Sequence, residues 1–314
     1  VNLTCSLCHV GVTFGLQDVL DNGIDPCLSR LQGSSCRNGH LTSFSSVLPL
    51  SSVIPLSRVV SSFPWLQHLS LNNNGFEGTL TNLSLPATML YLSLRGNAIA
   101  GPLFDFALFP QLLFLDLSHN MLTGTIPTSL NTSTKLRFLV LSHNRLRGTI
   151  PALGASLSSL QTLRLDHNML TGDIPSSLSN LQQIDMIRLD QNKLEGRIPT
   201  LPPTLKLLNV SGNKLYSEGE IKLQFPHLHV FAIADNGFDS SLRQFQMAEP
   251  GYFDARGNEV HCPYPHGWFS LDMTKLVPHC SLDLISFLIP VLAALASVLF
   301  WFLYTSAATK KLIL

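Results

Sequence analysis

Leucines and an asparagine recur along the middle of the chain in the pattern LxxLxLxxN. The asparagines are Asn74, Asn97, Asn120, Asn144, Asn168, Asn192, Asn213 and Asn236, with a degenerate ninth at Asn258. Successive copies lie 23, 23, 24, 24, 24, 21, 23 and 22 residues apart. Ahead of Asn120 the apolar slots are Leu112, Leu115 and Leu117. Leu136, Leu139 and Leu141 fill them in the next copy, and Leu160, Leu163 and Leu165 in the one after. Self-similarity at such a period marks a solenoid. The LxL pair sends alternate side chains of a short strand to one side. One coil has nothing to bury them against, whereas stacked coils share a continuous core. Strands of neighbouring coils are then expected to pair in parallel, about 4.8 Å apart. The asparagine side chain brings two donors and an acceptor, which suit backbone groups left open where the chain turns out of the strand. These asparagines are therefore read as structural.

The second half of each unit adds GTIP at Gly124, GTIP at Gly148, GDIP at Gly172 and GRIP at Gly196, with weaker versions at Gly78-Thr79-Leu80 and Gly101-Pro102-Leu103. With these motifs, residues 66–258 resemble the leucine-rich repeat family in its plant-type LxGxIP subclass. The resemblance implies an α/β solenoid, a right-handed superhelix with an inner parallel sheet and short second strands. It extends to receptor-like proteins, in which an ectodomain precedes a single transmembrane helix and no kinase follows. The repeats are expected over residues 41–258, in about nine coils.

Both ends differ from this middle. Six cysteines sit at Cys5, Cys8, Cys27 and Cys36 and at Cys262 and Cys280, with none between the two groups. The even count and the end placement suit disulfides formed in an oxidising compartment. Residues 1–40 are read as a cysteine-stapled cap, a helical hairpin that Cys5–Cys36 and Cys8–Cys27 pairing would hold, although four cysteines allow three connectivities. Zinc is the rival for these four, but the second pair lacks CxxC spacing. Residues 36–46 read as the first strand closing the solenoid. Residues 259–282 resemble the C-terminal cap of leucine-rich repeat proteins, and the family implies a Cys262–Cys280 disulfide there. Sequons begin at Asn2, Asn82, Asn131 and Asn209, and glycosylation at them would fit the same secretory route.

Residues 284–304 carry no charge, which is enough chain to cross roughly 30 Å of hydrocarbon. Asp283 precedes the run and Lys310 and Lys311 follow it. Positive flanks favour the cytosol. The expectation is a single-pass type I membrane protein with a transmembrane helix over 283–305, its repeats extracellular or lumenal and residues 306–314 a short cytosolic tail. The chain opens on Val1, so any leader is expected to have been removed or to lie outside it.

The formal net charge is zero, from 20 basic and 20 acidic residues. No basic stripe stands out, so nucleic acid is not an expected partner. There is no P-loop, Gly-x-Ser-x-Gly, His-Glu-x-x-His or GxGxxG motif. The chain is read as a non-enzyme without a cofactor, and function is sought on its surface.

That surface is the inner face of the sheet. Six positions before each asparagine stand His68, Tyr91, Phe114, Phe138, Thr162, Met186, Leu207 and Val230, with Leu90 and Leu113 adding to the apolar column. A solvated sheet face is normally polar, and apolar aromatic surface of this kind is enriched in interfaces. Four positions before the asparagine stand Asp116, Val140, Arg164, Arg188 and Asn209, and Asp166 and Asp190 stand two before it. Arg164 and Arg188 with these aspartates form a small charged patch, more in keeping with a solvated face than with recognition. A glycan on Asn209 would obstruct the C-terminal part of the face, which places ligand contact in its N-terminal two-thirds. His119, His143 and His167 directly precede three of the asparagines. Their slot is read as structural, so no metal site is assigned, with metal binding and a pH response as rivals.

The function expected is a membrane-anchored, non-catalytic protein that binds a protein or peptide on its concave face. The alternative is a structural subunit that holds a larger membrane or extracellular assembly together.

Overall fold

The computed structural model describes residues 34–37, 40–45, 56–216, 223–238, 245–247 and 251–258. The N-terminal hairpin with Cys5, Cys8 and Cys27, the cap with Cys262 and Cys280, the sequon at Asn2, the apolar run 284–304 and the tail lie outside these residues. Cys36 is disulfide-bonded, and its partner lies outside them too. Among the described residues no helix is long and apolar enough to cross a membrane.

Nine LxL segments, from His68–Ser70 to Tyr252–Asp254, are three-residue strands. They join one 11-stranded sheet in chain order. Pairing is parallel and in register: Tyr91 faces Phe114, and Phe114 faces Phe138. Register follows from burial, because a slip of one residue would turn every leucine outward. Leu92, Leu115, Leu139 and Leu163 are 1% exposed or less, as are Leu94, Leu117, Leu141 and Leu165. The first coil is closed by a hairpin. His40–Ser45 pairs parallel with His68–Ser70, and Ser34–Arg37 pairs antiparallel outside it. That outer strand covers an edge that would otherwise present open backbone groups.

The architecture is a β-solenoid with one long parallel sheet, which corrects the α/β class. Among the described residues the one α-helix is Leu56–Ser61. Elsewhere the outer side is built of short strands and 3-10 turns. Met169–Asp173 pairs with Lys193–Gly196, and the turns Thr128–Thr132 and Ser176–Asn180 follow Pro127 and Pro175. The GxIP motif explains this. Gly148 takes φ +76°, and a Cβ there would come within 2.9 Å of the Thr125 methyl, so the glycine lets second strands approach. The proline then lacks an amide N–H and ends the extended run. Pro127 is followed by the next inner strand at Phe138, a stretch shorter than the roughly 12–15 residues an isolated α-helix needs to be stable.

From Asn97 to Asn258, each asparagine ties two coils together. Asn144 Oδ1 accepts from Leu122 N at 3.0 Å, and its Nδ2 donates to Leu117 O at 3.0 Å and to Leu141 O at 3.1 Å. Asn168 and Asn192 repeat the arrangement. Asn144 is 8% exposed, so these bonds satisfy groups that water hardly reaches.

Candidate ligand face of the long sheet

The strand residues that alternate with the buried leucines form the outward face. In its N-terminal half, Tyr91, Phe114 and Phe138 stand on consecutive strands and are half-buried. Tyr91 and Phe114 stack with centroids 4.2 Å apart and planes 8° from parallel, and Phe114 meets Phe138 at 5.8 Å. His68 extends the row to Tyr91 at 6.3 Å. Parallel in-register pairing at strand spacing brings identical slots close enough for rings to stack. Each ring hides a face against its neighbour and leaves the rest open. Leu90 and Leu113 flank the row and are also half-buried. Burial raises the Tyr91 pKa, helped by the charge of Asp116, whereas a hydrogen bond with Ser93 opposes the shift.

The C-terminal half is built differently. Arg164 lies back on Asp166, with Nε donating to Oδ1 at 3.3 Å and Nη2 to Oδ2 at 3.4 Å. Arg188 does the same to Asp190 at 3.1 Å and 3.1 Å. Asp166 is 1% exposed and Asp190 5%. This corrects the reading of a solvated charged patch: the guanidinium groups roof carboxylates that are buried. Hydrogen bonding to Asp190 raises the Arg188 pKa. Met186 stands half-buried on the same strand as Arg188.

A pair that sequence reading missed closes the face. Asp254 accepts from Arg256 Nη2 at 2.7 Å and from Nε at 2.9 Å, and it mirrors the order Arg164–Asp166. Burial works to raise the Asp254 carboxyl, yet its hydrogen bonds with Arg256 outweigh burial and hold it low. Following the same two columns into the ninth, degenerate coil would have revealed the pair. Arg188, Asp190, Asn209, Tyr252, Asp254 and Arg256 are among the residues lining a cavity of about 470 Å³. Asn209 thus stands where a glycan would fill this cavity. Its Oδ1 accepts from Ser211 N at 3.1 Å. Asn131 lies off the sheet, in the 3-10 turn Thr128–Thr132, and its Nδ2 donates to Ala152 O at 2.9 Å. Asn82 ends the turn Leu80–Asn82.

The histidine slot has a backbone reason. His119, His143 and His167 have φ of 55°, 54° and 54°, and Asn73, Gln191 and Asp235 in the same slot are also positive. Gly96, Gly212 and Gly257 fill it in the other coils, again with positive φ. The left-handed region favours Gly and, among other residues, Asn, Asp and His. The slot's amide binds the next coil: His119 N to Ser142 O at 2.9 Å, His143 N to Asp166 O at 3.0 Å. The imidazoles stack with centroids 4.1 Å apart in both steps, closer than the 5 Å or so of ladder spacing. Burial lowers the pKa of His119 and of His143. For His143 the charges of His167 and His119 come next, and for His119 that of Arg95.

Leucine-rich repeat family models match residues 134–194 and 111–133. No curated protein sequence matches the chain. Among solved structures, the ectodomain of the Arabidopsis thaliana membrane receptor kinase GASSHO1/SCHENGEN3, in complex with CASPARIAN STRIP INTEGRITY FACTOR 2, is similar at 22% identity, with TM-score 0.58, over 78% of this chain and 36% of that one. The plant peptide hormone receptor RGFR1 in complex with RGF2 is similar at 22% identity, with TM-score 0.53, over 65% and 38%. A plant ice-binding protein is similar at 22% identity, with TM-score 0.67, over 82% and 87%. The chain spans a little over a third of the two receptor chains. These likenesses establish a shared fold.

Proposed function

We propose that this chain, whose repeats place it in the leucine-rich repeat family, binds a protein or peptide partner on the outward face of its long sheet and catalyses no reaction. The observation that carries the reading is the row Tyr91, Phe114 and Phe138, stacked yet half open on a face where polar residues would be expected. Flat aromatic surface gives contact area at low entropic cost, because its rings are already ordered. Leu90, Leu113 and Met186 widen the apolar contact, and Arg164 and Arg188 would border it as polar rim. Of the two receptor structures of the same fold, one is described as a peptide hormone receptor in complex with RGF2 and the other as an ectodomain in complex with CASPARIAN STRIP INTEGRITY FACTOR 2. We extend the reading to a membrane anchor through residues 284–304 with the repeats outside, which rests on the uncharged run and its flanks.

The test replaces Tyr91, Phe114 and Phe138 with Ser and compares partner recovery by affinity capture, with circular dichroism reporting the fold. Recovery should fall at least tenfold in the folded variant. Undiminished recovery would end the reading. A chain found only inside a large, detergent-resistant assembly would replace ligand capture by permanent contact as a structural subunit.

A further inference from the structure

We propose that His143, His167 and Asp166 form a binding site for a divalent transition-metal ion, Zn²⁺ in the first instance. Each of the three offers a donor atom, and these atoms all lie within 4.8 Å of one another. The site does not depend on the peptide-binding reading.

The contact between His167 and Asp166 has a spacing that suits two ligands of one ion. His167 Nδ1 stands 3.5 Å from Asp166 Oδ2. That is long for an N–H···O bond, which prefers about 2.9 Å. It is close to the separation of roughly 3.4 Å between two ligand atoms that each lie about 2.05 Å from a tetrahedral zinc. Asp166 is 1% exposed, unlike the surface carboxylates that gather without an ion. Its contacts from Arg164, at 3.3 and 3.4 Å, are long for charge-assisted bonds and leave lone pairs for a metal. Arg164 would then orient the ligating carboxylate from behind.

The backbones of the three ligands are already placed. His143 N donates to Asp166 O at 3.0 Å and Asn144 N to His167 O at 3.2 Å, so the coils hold the two histidine slots side by side. The rings stack 4.1 Å apart, and only side-chain rotation is needed for their lone pairs to converge. The 42% exposed side chain of His167 has room for it. Two imidazoles and a carboxylate are a zinc-type donor set rather than one for Ca²⁺ or Mg²⁺, which prefer oxygen. A fourth position stays open for water, and Asp190 Oδ2, 3.8 Å from His167 Nδ1, stands ready to orient it.

His119 makes the inference sharp. It stacks on His143 as closely as His167 does, yet it is not in the cluster. Its coil and the next carry Ser118 and Ser142 where the following two carry Asp166 and Asp190. Three identical slots thus divide into two ligands and a bystander.

The test titrates the full chain, stripped by EDTA, with zinc chloride in a calorimeter. Asparagine is the substitution of choice because the slot already holds Asn73 in left-handed conformation, so variants should fold. One saturable site assigned to this cluster should weaken at least tenfold in His143→Asn, in His167→Asn and in Asp166→Asn, and stay unchanged in His119→Asn. Equal loss in His119→Asn would reduce the effect to loosely exposed imidazoles and overturn the proposal. So would the absence of saturable uptake, or uptake unaltered by His143→Asn and His167→Asn, which would send the zinc elsewhere in the chain.

Discussion

The two halves of the sheet face share one scaffold and carry opposite surfaces. From Tyr91 to Phe138 the exposed slots hold stacked rings. From Arg164 to Arg256 they hold arginines folded over buried aspartates. The strand length and register are the same in both, and the inward slots are buried and apolar in both. In a solenoid, then, the coil is set by its inward residues, and the outward columns vary without disturbing it. The halves differ in what holds their surface in place. Rings gain from each neighbour separately, whereas an ion pair is an all-or-none partnership over a buried charge.

The largest effect should come at the seam. Asn144→Ala would strip the acceptor from Leu122 N and the donor from the Leu117 and Leu141 carbonyls. Leaving such groups buried and open costs roughly 3 kcal/mol or more. Because coils couple only to neighbours, the loss should also separate the unfolding of the two halves, seen as a broadened or two-step denaturant transition. A single sharp transition at unchanged midpoint would show that the halves are not joined through this ladder.

A smaller effect separates the two surfaces. Arg188→Ala strands the carboxylate of Asp190, at about 1–2 kcal/mol once solvent at the half-exposed arginine is allowed for. Adding Asp190→Leu should recover most of it, since the unpaired charge goes as well. On the aromatic side, Phe114→Leu should cost about 1 kcal/mol through lost stacking, and adding Tyr91→Leu should cost more rather than restore anything. Urea melts of the four variants test the contrast, which fails if the second substitution shifts stability in the same direction in both pairs.

The smallest effect is a pH dependence. His119 and His143 hold protons less tightly in the fold than in the unfolded chain, burial being the first cause. As pH falls through the ordinary histidine value of 6.5, the unfolded chain takes up protons first. Stability is therefore full above that value and declines as pH drops toward the folded-state values. Melting temperatures in EDTA at pH 7.5 and pH 5 should differ less when both histidines are asparagine. An equal difference would place the acid sensitivity elsewhere.

Much of the fold was legible in the repeat. Leu115, Leu117 and Asn120 announce strand, core and turn because their spacing matches the period of a strand and the demand of its open backbone groups. The aromatic column was legible for the same reason, since a residue six before the asparagine must point outward. The α/β class was not. GxIP favours extended chain, but whether the remaining residues close into a helix or a 3-10 turn depends on how near the coils stack. The pairing of Arg164 with a buried Asp166 was hidden as well, because spacing reveals that two residues share a face and not how deep either sits.

The histidines divide the two kinds of knowledge. The sequence by itself determined that His119, His143 and His167 are equivalent, since they occupy one slot of one repeat. Only the tertiary structure decided that they are not alike. Stacking the coils sets His167 beside Asp166 and Asp190, whereas the coil of His119 and the next carry Ser118 and Ser142 in the corresponding places. A column's chemistry belongs to the coils that meet there, and it exists only when coils far apart in chain come within a few ångströms.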